Sequence, residues 1–380
     1  MMSNLSLDLV EEILSRVPII SLREARSTCK GWNDLTKNHS FTEKQLCKAA
    51  KGFLMIMIYD RVINLTSVNL HGIHNHEDLV DPSSKKIGNF LNQVMINKVF
   101  HCDGLLLCGT RDCKLVVWNP YLGQVRWIQP RKKFDISDYY SIGYDKSNNN
   151  YKIFRFWIGY VARTDERIVD YHIYNFKSNS WRVIDVTPDS WHIDYYQRGI
   201  SLKGDTYFLS RGRLEEKKLF LVCFDFTRER FGPRLYLPFD CDVRNDTQTL
   251  SSVREEQISV LLMRRDTNVM EVWITDKIEP DAASWKKFMV VKDQPILSRV
   301  KNVSVQSGSF FIDEDKKVVV VCVRNGNIAY LIKENGYYKE MVLGESNHLP
   351  IMCSYVPSSM QIQKGPVVRA CGKEKEREYI

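Results

Sequence analysis

The densest group of side chains that could bind a metal is a short polar stretch in which His71, His74 and His76 are followed by Asp78. Imidazole and carboxylate groups bind divalent transition metals when the backbone brings them together. Here they stand among Gly, Asn and Asp, a composition typical of an exposed loop, and such loops seldom fix a ligand set. We therefore expect a polar loop at this place and no metal site.

Signature motifs of the common enzyme classes are missing from the sequence. It has no Gly-x-Ser-x-Gly, no glycine-rich phosphate loop with Lys-Ser or Lys-Thr, and no His-Glu-x-x-His. Its 10 cysteines are scattered without a Cys-x-x-Cys pair, which favours reduced thiols over zinc ligands or disulfides. We expect no catalytic residues and no cofactor, and therefore a protein that is not an enzyme.

Two short amphipathic helices are predicted near the N-terminus, over Leu5–Val17 and Ser21–Trp32. Ser6 can cap the first helix and Pro18 ends it, and Ser21 with Glu24 has the spacing of a capping box for the second. The apolar face of the first helix spans about 140° of the helical wheel, more than one neighbouring helix covers. Part of this face is therefore expected to bind another protein. Its residues are Leu9, Val10, Ile13, Leu14 and Val17.

An ordered series of residues in this region resembles the F-box. The series consists of Leu5-Ser6-Leu7-Asp8-Leu9, Glu12-Ile13-Leu14, Arg16-Val17-Pro18, Ser21-Leu22, Cys29-Lys30-x-Trp32 and Phe41. The resemblance implies a unit of three short helices over residues 1–46 that docks on a Skp-type adaptor and, through it, on a cullin. The docking face should be exposed in the isolated chain, and its expected residues are Leu5, Leu9, Ile13, Leu14, Val17, Pro18 and Leu22. The alternative is a helical hairpin that only packs on the main domain.

From residue 50 onward the pattern changes to short alternating apolar runs between turn residues, which predicts an all-β region. Pairs of aromatic residues flank polar turns at intervals of 49 to 57 residues. The pairs are Trp118 with Trp127, Tyr174 with Trp181, Phe224 with Phe231, Trp273 with Trp285, and Tyr330 with Tyr337; Phe53–Leu70 is a weaker copy. This period is close to the ~50 residues of a kelch-type blade. We predict a propeller-like domain of about six blades over residues 47–360.

The closure of this ring and the end of the chain can also be predicted. Leu349–Tyr355 is expected to be the last strand and to pair with the strand beginning at Phe53. The charges of Lys373–Glu378 alternate in sign, which indicates a disordered charged tail over residues 361–380.

A second resemblance covers most of residues 95–345. Val117-Trp118-Asn119-Pro120 with Trp127, Ser141-Ile142-Gly143-Tyr144-Asp145 with Tyr151-Lys152, and Tyr174-Asn175 with Ser180-Trp181 are similar to the F-box-associated domain of plant F-box proteins. The order of the two modules implies a substrate-recognition subunit of an SCF-type ubiquitin ligase, in which the β domain binds an unidentified target protein. The loops that bind the target remain undetermined from the sequence.

The composition supports a second, different interpretation. The chain has 380 residues, 44% hydrophobic and 26% charged, with a net charge of +8. Residues 1–46 hold six basic and six acidic residues, so the whole excess, 48 basic against 40 acidic, belongs to residues 47–380. The alternative function is thus a basic β-propeller that binds nucleic acid or an acidic partner outside ubiquitination. We favour the ligase subunit because it depends on ordered motifs, so nucleic acid is not the expected partner.

No membrane association is expected. The longest aliphatic run, Phe53–Ile58, is far shorter than a membrane span, and the N-terminus lacks a basic segment followed by an apolar one. These features predict an intracellular protein of the cytoplasm, the nucleus or both.

Overall fold

The structure of the protein is a computed structural model, which describes residues 5–17, 21–38, 40–42, 44, 53–59, 62–68, 83–86, 94–129, 138–160, 167–186, 191–193, 199–212, 218–242, 245–301, 310–322, 328–342 and 351–362. Short helices come first, and the chain from residue 53 is mainly β-strand. The predicted order, a small helical unit followed by an all-β propeller, is confirmed. The His71–Asp78 stretch lies outside the described residues.

In the described part of the N-terminal unit, three short helices have defined bounds, α1 Leu7–Leu14, α2 Leu22–Thr28 and α3 Lys30–Leu35, and residues 40–42 are also helical. The Ser6 side chain caps α1 as predicted, since its Oγ accepts a hydrogen bond from the Leu9 N–H at 3.4 Å. The predicted second helix is divided in two, because Cys29 is extended, with φ −156° and ψ 159°. Its Sγ accepts from the Trp32 N–H and so caps α3.

The capping box predicted at Ser21 is wrong. Ser21 has φ −85° and ψ −13°, and its side chain makes no capping hydrogen bond. A cap residue normally has an extended backbone, which turns its side chain toward the free N–H groups of the first turn. The helical backbone of Ser21 removes that geometry.

Within the described part of the chain, 25 strands form six sheets, five of four strands and one of five. The first has the order β25-β1-β2-β3: β1 Phe53–Tyr59, β2 Val62–Val68, β3 Ser83–Lys86, β25 Ile351–Ser354. The second contains β4 Ile96–Cys102, β5 Leu105–Thr110, β6 Leu115–Asn119 and β7 Gln124–Ile128. The third contains β8 Tyr139–Asp145, β9 Asn150–Tyr160, β10 Arg167–Asn175 and β11 Ser180–Val183.

The fourth sheet contains β12 Trp191–Ile193, β13 Ile200–Leu202, β14 Asp205–Gly212, β15 Leu219–Asp225 and β16 Arg230–Tyr236; both β12 and β13 pair with β14. The fifth contains β17 Thr247–Val253, β18 Gln257–Arg264, β19 Val269–Glu279 and β20 Ala282–Lys292. Helix α4, Pro295–Lys301, precedes the sixth sheet, which contains β21 Phe310–Asp313, β22 Val318–Cys322, β23 Ile328–Lys333 and β24 Tyr338–Val342.

The sheets are arranged around a central axis, and the innermost strand of each sheet lies next to that axis. Strand β4 contacts β8, and the contacts continue from β8 to β13, β17, β21 and β25 in turn. The turns that follow these inner strands meet at one end of the ring, which we call the inner-turn end. There the Tyr144 N–H donates to the Gly204 carbonyl at 3.0 Å, and Arg254 pairs with Asp315.

Strand β25 completes the sheet that begins with β1, as predicted. The two strands are antiparallel, with Met57 opposite Met352 and Ile58 opposite Ile351. Ile63 of this sheet also packs on the next one, in a cluster with Trp118 and Tyr355. Both ends of the β domain are therefore joined in one sheet, which leaves no free edge between them.

Five of the predicted aromatic pairs belong to hairpins between the third and fourth strands of a sheet. Tyr174 is directly opposite Trp181, and Phe224 is directly opposite Phe231. The weaker copy over Phe53–Leu70 is also a hairpin, but it joins the second and third strands of its sheet because β25 takes the first place. Its equivalence to the other five is thus wrong.

The core consists of apolar clusters between neighbouring sheets. Phe154 of β9 and Phe224 of β15 are stacked with ring centroids 3.9 Å apart, across the third and fourth sheets. Helix α4 contributes Ile296, Leu297 and Val300 to the cluster between the fifth and sixth sheets. Burial of large apolar side chains between neighbouring sheets is what stacking of blades provides.

Candidate functional site

Four large apolar side chains at helix α1 and just before it are exposed, and we call them the α1 patch: Leu5, Leu7, Leu9 and Ile13. Their exposed fractions are 41%, 74%, 53% and 48%. Leu9 and Ile13 are spaced by four residues in α1 and therefore lie on one face, whereas Leu5 comes just before the cap residue Ser6. Contiguous exposed apolar residues of this size are typical of a protein interface. Leu7, the most exposed of the four, is not among the residues predicted from the sequence.

The opposite face of α1 belongs to the core of the helical unit. Val10 and Leu14 pack with Leu22, Phe41 and Tyr121 in one cluster. Leu14 is 2% exposed and Leu22 is fully buried, so the exposure predicted for these two in the isolated chain is wrong. The helix is amphipathic over a broad arc, and the sequence pattern alone could not assign each position to the inner or the outer side.

The two remaining predicted residues lie at the border of this surface. Val17 is half-buried and packs against the core cluster, and Pro18 lies outside the described residues. Beside the patch, the Lys44 ammonium contacts Glu11 at 3.1 Å and Glu12 at 3.3 Å, and Arg16 contacts Glu12 at 2.9 Å. The hydrogen bond with Glu11 raises the pKa of Lys44. These exposed charges give the apolar patch a polar rim, as is usual for interfaces.

Tyr121, in the turn between β6 and β7, joins the helical unit to the ring. The Arg26 guanidinium carbon lies 4.2 Å from the centre of the Tyr121 ring, and Arg26 Nη1 donates to the Tyr121 carbonyl oxygen. The Tyr121 hydroxyl donates to the Thr36 carbonyl at 3.1 Å and receives a hydrogen bond from Thr42 at 3.4 Å. Burial lowers the pKa of Arg26 and raises that of Tyr121. The helical unit is therefore packed on the β domain through a buried polar contact.

A second polar contact, between two partly buried side chains, lies at the inner-turn end of the ring. His101 Nε2 accepts a hydrogen bond from the Gly104 N–H at 3.0 Å and lies 3.2 Å from Glu255 Oε1. Burial lowers the pKa of His101 to about 4. Burial, together with the nearby Asp103 carboxylate, raises the pKa of Glu255 to about 8. At neutral pH this contact therefore joins a neutral imidazole to a largely protonated carboxyl group, and it is not an ion pair.

Among the described residues, no group of three or more His, Cys, Asp or Glu side chains could hold a metal ion. Likewise, no helix in the described part is long and apolar enough to cross a membrane.

Comparison with known proteins identifies both parts of the chain. Residues 2–44 match the F-box domain, and residues 54–362 match the F-box associated beta propeller domain. A putative F-box protein of Arabidopsis thaliana is 46% identical over 99% of this chain and 98% of its own length. An F-box/kelch-repeat protein of the same plant is 43% identical over 95% of this chain and 99% of its own. The α1 patch and the ring thus belong to a modular class of protein, an F-box followed by a propeller.

The chain belongs to the F-box proteins with an F-box-associated β-propeller domain, related to the Arabidopsis F-box/kelch proteins. An F-box implies binding to a Skp-type adaptor and the role of a substrate adaptor in an SCF-type ligase, and the family is generally non-catalytic. Among solved structures, a periplasmic gluconolactonase of Pseudomonas aeruginosa is a distant neighbour, with a TM-score of 0.38 and 12% identity over 80% of this chain and 99% of its own.

Proposed function

We propose that this protein is the substrate-recognition subunit of an SCF-type ubiquitin ligase. The F-box docks on the Skp-type adaptor, which connects it to a cullin, and the β domain binds the target protein. The protein is not an enzyme and needs no cofactor, because its contribution is to hold the target close to a ubiquitin-charged enzyme. The observation that carries this proposal is the α1 patch, whose large apolar side chains are exposed on an F-box.

In this proposal the predicted docking residues have two different roles. Leu5, Leu9 and Ile13, with Leu7 added from the structure, contact the adaptor directly, and Val17 and Pro18 border the contact. Leu14 and Leu22 act from the core, where they hold α1 in place. A standard interface buries ~800 Å² per partner, which four or five large side chains on one helix supply only in part. The adaptor is thus expected to contact α2 or α3 as well.

For the β domain we propose that each of the six sheets is one blade of the ring. The domain then spans residues 47–360 after an F-box of residues 1–46, with the charged tail from residue 361. Ile362 lies two residues beyond that boundary, yet it is 8% exposed and packs between the second and third sheets. We therefore extend the proposed domain to residue 362.

The target is proposed to bind at the end of the ring opposite the inner-turn end. The F-box contacts the β6–β7 turn, and antiparallel strands place this turn at the same end of its sheet as the β4–β5 turn. Turns 111–114 and 265–268 follow second strands and therefore lie at the other end, away from the F-box. Loops at one end of a rigid scaffold are the usual place for recognition.

Adaptor capture with a surface variant tests this function. Leu9→Asp with Ile13→Asp places two charges in the α1 patch, at positions so exposed that folding should be retained. We expect loss of capture of the purified Skp-type adaptor, because a charge in an apolar interface is left desolvated and unpaired. Val183→Asp, at a site 55% exposed on β11, is the matched control and should bind like the native chain. Capture that survives the double substitution would contradict the proposed docking face.

The net charge of +8 is the observation behind the second candidate, a basic propeller for nucleic acid or an acidic partner. Salt separates the two functions. Binding through phosphate contacts weakens by orders of magnitude between ~50 mM and ~200 mM salt. Capture of the adaptor through apolar side chains should persist over that range.

The target itself would be identified by affinity capture of the intact protein with the degradation step blocked. Since SCF-type ligases act inside the cell, we also propose a location in the cytoplasm, the nucleus or both.

A further inference from the structure

A residue of the β domain completes the core of the F-box. Tyr121 is 4% exposed, and it packs with Val10 and Leu14 of α1 and with Leu22 of α2. It stands 77 residues after the last F-box residue matched, 121 minus 44, so the contact is tertiary and not a continuation of the helical unit. The F-box core and the β6–β7 turn are therefore one packed unit.

Polar contacts fix the direction in which the F-box points from the ring. Arg26 Nε donates to Thr36 Oγ1 at 3.0 Å, and the same guanidinium donates to the Tyr121 carbonyl. The Tyr121 hydroxyl in turn donates to the Thr36 carbonyl. A planar guanidinium with several bonds to fixed groups constrains orientation as well as distance. Rotation of the F-box about the turn would break these buried bonds together.

The β6–β7 turn is held from its other side by the chain that follows β25, residues 355–362, which we call the C-terminal strap. Asn119 Nδ2 donates to the carbonyls of Ser358 at 3.0 Å and Met360 at 2.7 Å. Gln124 Oε1 accepts from the Ile362 N–H at 2.8 Å. Both ends of the turn are thus tied to the strap, so the turn cannot act as a hinge for the F-box.

We propose that Tyr121 is a positioning residue for ubiquitin transfer, because it locks the F-box and the ring into one rigid body. This inference rests on the proposed ligase function. The adaptor and cullin set the place of the ubiquitin-charged enzyme, and the F-box transmits that position to the ring. A rigid connection holds the same few lysines of the ring close to the ubiquitin-charged enzyme. A hinge would spread these lysines over a larger volume and lower their effective concentration at that enzyme.

The experiment uses the full chain in a ligase reconstituted from the adaptor, the cullin, its RING subunit and a charged conjugating enzyme. The probe is self-modification: the lysines of this chain that receive ubiquitin are mapped by mass spectrometry, and small-angle scattering of the complex with the adaptor reports the shape. Tyr121→Ala removes the ring and hydroxyl, and Ser178→Ala, in the exposed β10–β11 turn, is the control, since it leaves every lysine in place. We expect the native chain and the control to be modified at the same few lysines, and Tyr121→Ala to spread modification over more lysines, with a loss of about tenfold or more at the native ones.

If Tyr121→Ala disrupts the F-box core, the variants Tyr121→Phe and Arg26→Lys still test the positioning role. The first removes only the hydroxyl bonds to Thr36 and Thr42, and the second removes the guanidinium group that bonds the Tyr121 carbonyl and Thr36. Each should retain adaptor capture and broaden the lysine pattern. A purely structural role for Tyr121 would lower the melting temperature and leave the pattern unchanged, and that result would overturn the proposal. If the native chain fails to capture the adaptor, the ligase function fails instead, and with it the basis of this inference.

Discussion

The bonds between Asn119 and the C-terminal strap lead to a quantitative prediction for Asn119→Ala. Asn119 is fully buried, and its side chain donates to two carbonyls of the strap while its Oδ1 accepts from the Leu122 N–H at 3.0 Å. A hydrogen bond of this kind contributes about 0.5–1.5 kcal/mol, and a buried partner left unsatisfied costs about 1–3 kcal/mol. Because Met360 is 37% exposed, water can satisfy its carbonyl. We expect Asn119→Ala to lower the free energy of unfolding by about 2–4 kcal/mol.

Asn175→Ala is the matched control, since Asn175 stands at the same place in the next β hairpin. Its Oδ1 accepts from the Lys177 N–H at 2.8 Å and the Ser178 N–H at 3.2 Å, within its own turn. Loss of such a local cap costs about 1 kcal/mol. The difference between the two variants, about 1–3 kcal/mol, isolates the strap.

Urea unfolding followed by tryptophan fluorescence and far-UV circular dichroism measures both variants against the native chain. Asn119→Asp should be more destabilising than Asn119→Ala, because it places a carboxylate against two carbonyl oxygens. Equal stability of Asn119→Ala and Asn175→Ala, within about 0.5 kcal/mol, would refute the idea that the strap is held by Asn119.

Three further predictions concern the closure, the axis and the packing of the ring. Deleting residues 346–380 removes β25 and the strap, including Tyr355 and Ile362, whose burial stabilises the fold by about 1.5–3 kcal/mol each, so this variant should melt at a lower temperature and aggregate in light scattering. Deleting residues 372–380 should change neither the melting temperature nor the scattering. The free energy of unfolding of the native chain should fall as pH rises from 6.5 to about 8, because the raised pKa of Glu255 favours its protonated form in the folded state and His101 is already neutral over this range. Urea titrations across that range should show no such loss for Glu255→Gln. Gly143→Ala should be strongly destabilising in thermal melts, since its Cβ would overlap the Gly204 carbonyl and the Phe226 ring, whereas Gly31→Ala meets nothing within 4 Å and should be neutral or stabilising. A Gly143 variant as stable as the Gly31 variant would contradict the packing described for the third and fourth sheets.

Local features of the sequence predicted the elements of the fold because each depends on residues close together. An aromatic residue, a polar turn and a second aromatic residue are enough to predict the hairpin of Tyr174 and Trp181. The pairing of β25 with β1 could be predicted as well, because a ring of repeats needs one strand to join its two ends. The break at Cys29 could not, since nothing in the neighbouring residues requires an extended backbone at that position.

The contacts that define the candidate site are long-range, and the sequence contains no local signal for them. Arg26 and Tyr121 are 95 residues apart, and Asn119 is 239 residues from Ser358. The resemblance to the F-box-associated domain included Asn119 in its Trp-Asn-Pro motif without indicating what the side chain binds. Likewise, the sequence context of His101 and Glu255 does not indicate that their side chains would meet at the inner-turn end.

The same β6–β7 turn thus serves two purposes that the sequence motifs treat separately. On one side it completes the F-box core through Tyr121, and on the other it ties down the strap that follows the closing strand β25. Weakening one of these two contacts should therefore weaken the other as well, because a turn released from the strap can move with the F-box. This coupling is measurable as a double-mutant cycle between Asn119→Ala and Tyr121→Phe. An interaction energy of about 0.5 kcal/mol or more is expected for residues that share one turn, whereas additive effects would show that the F-box seat and the ring closure are independent.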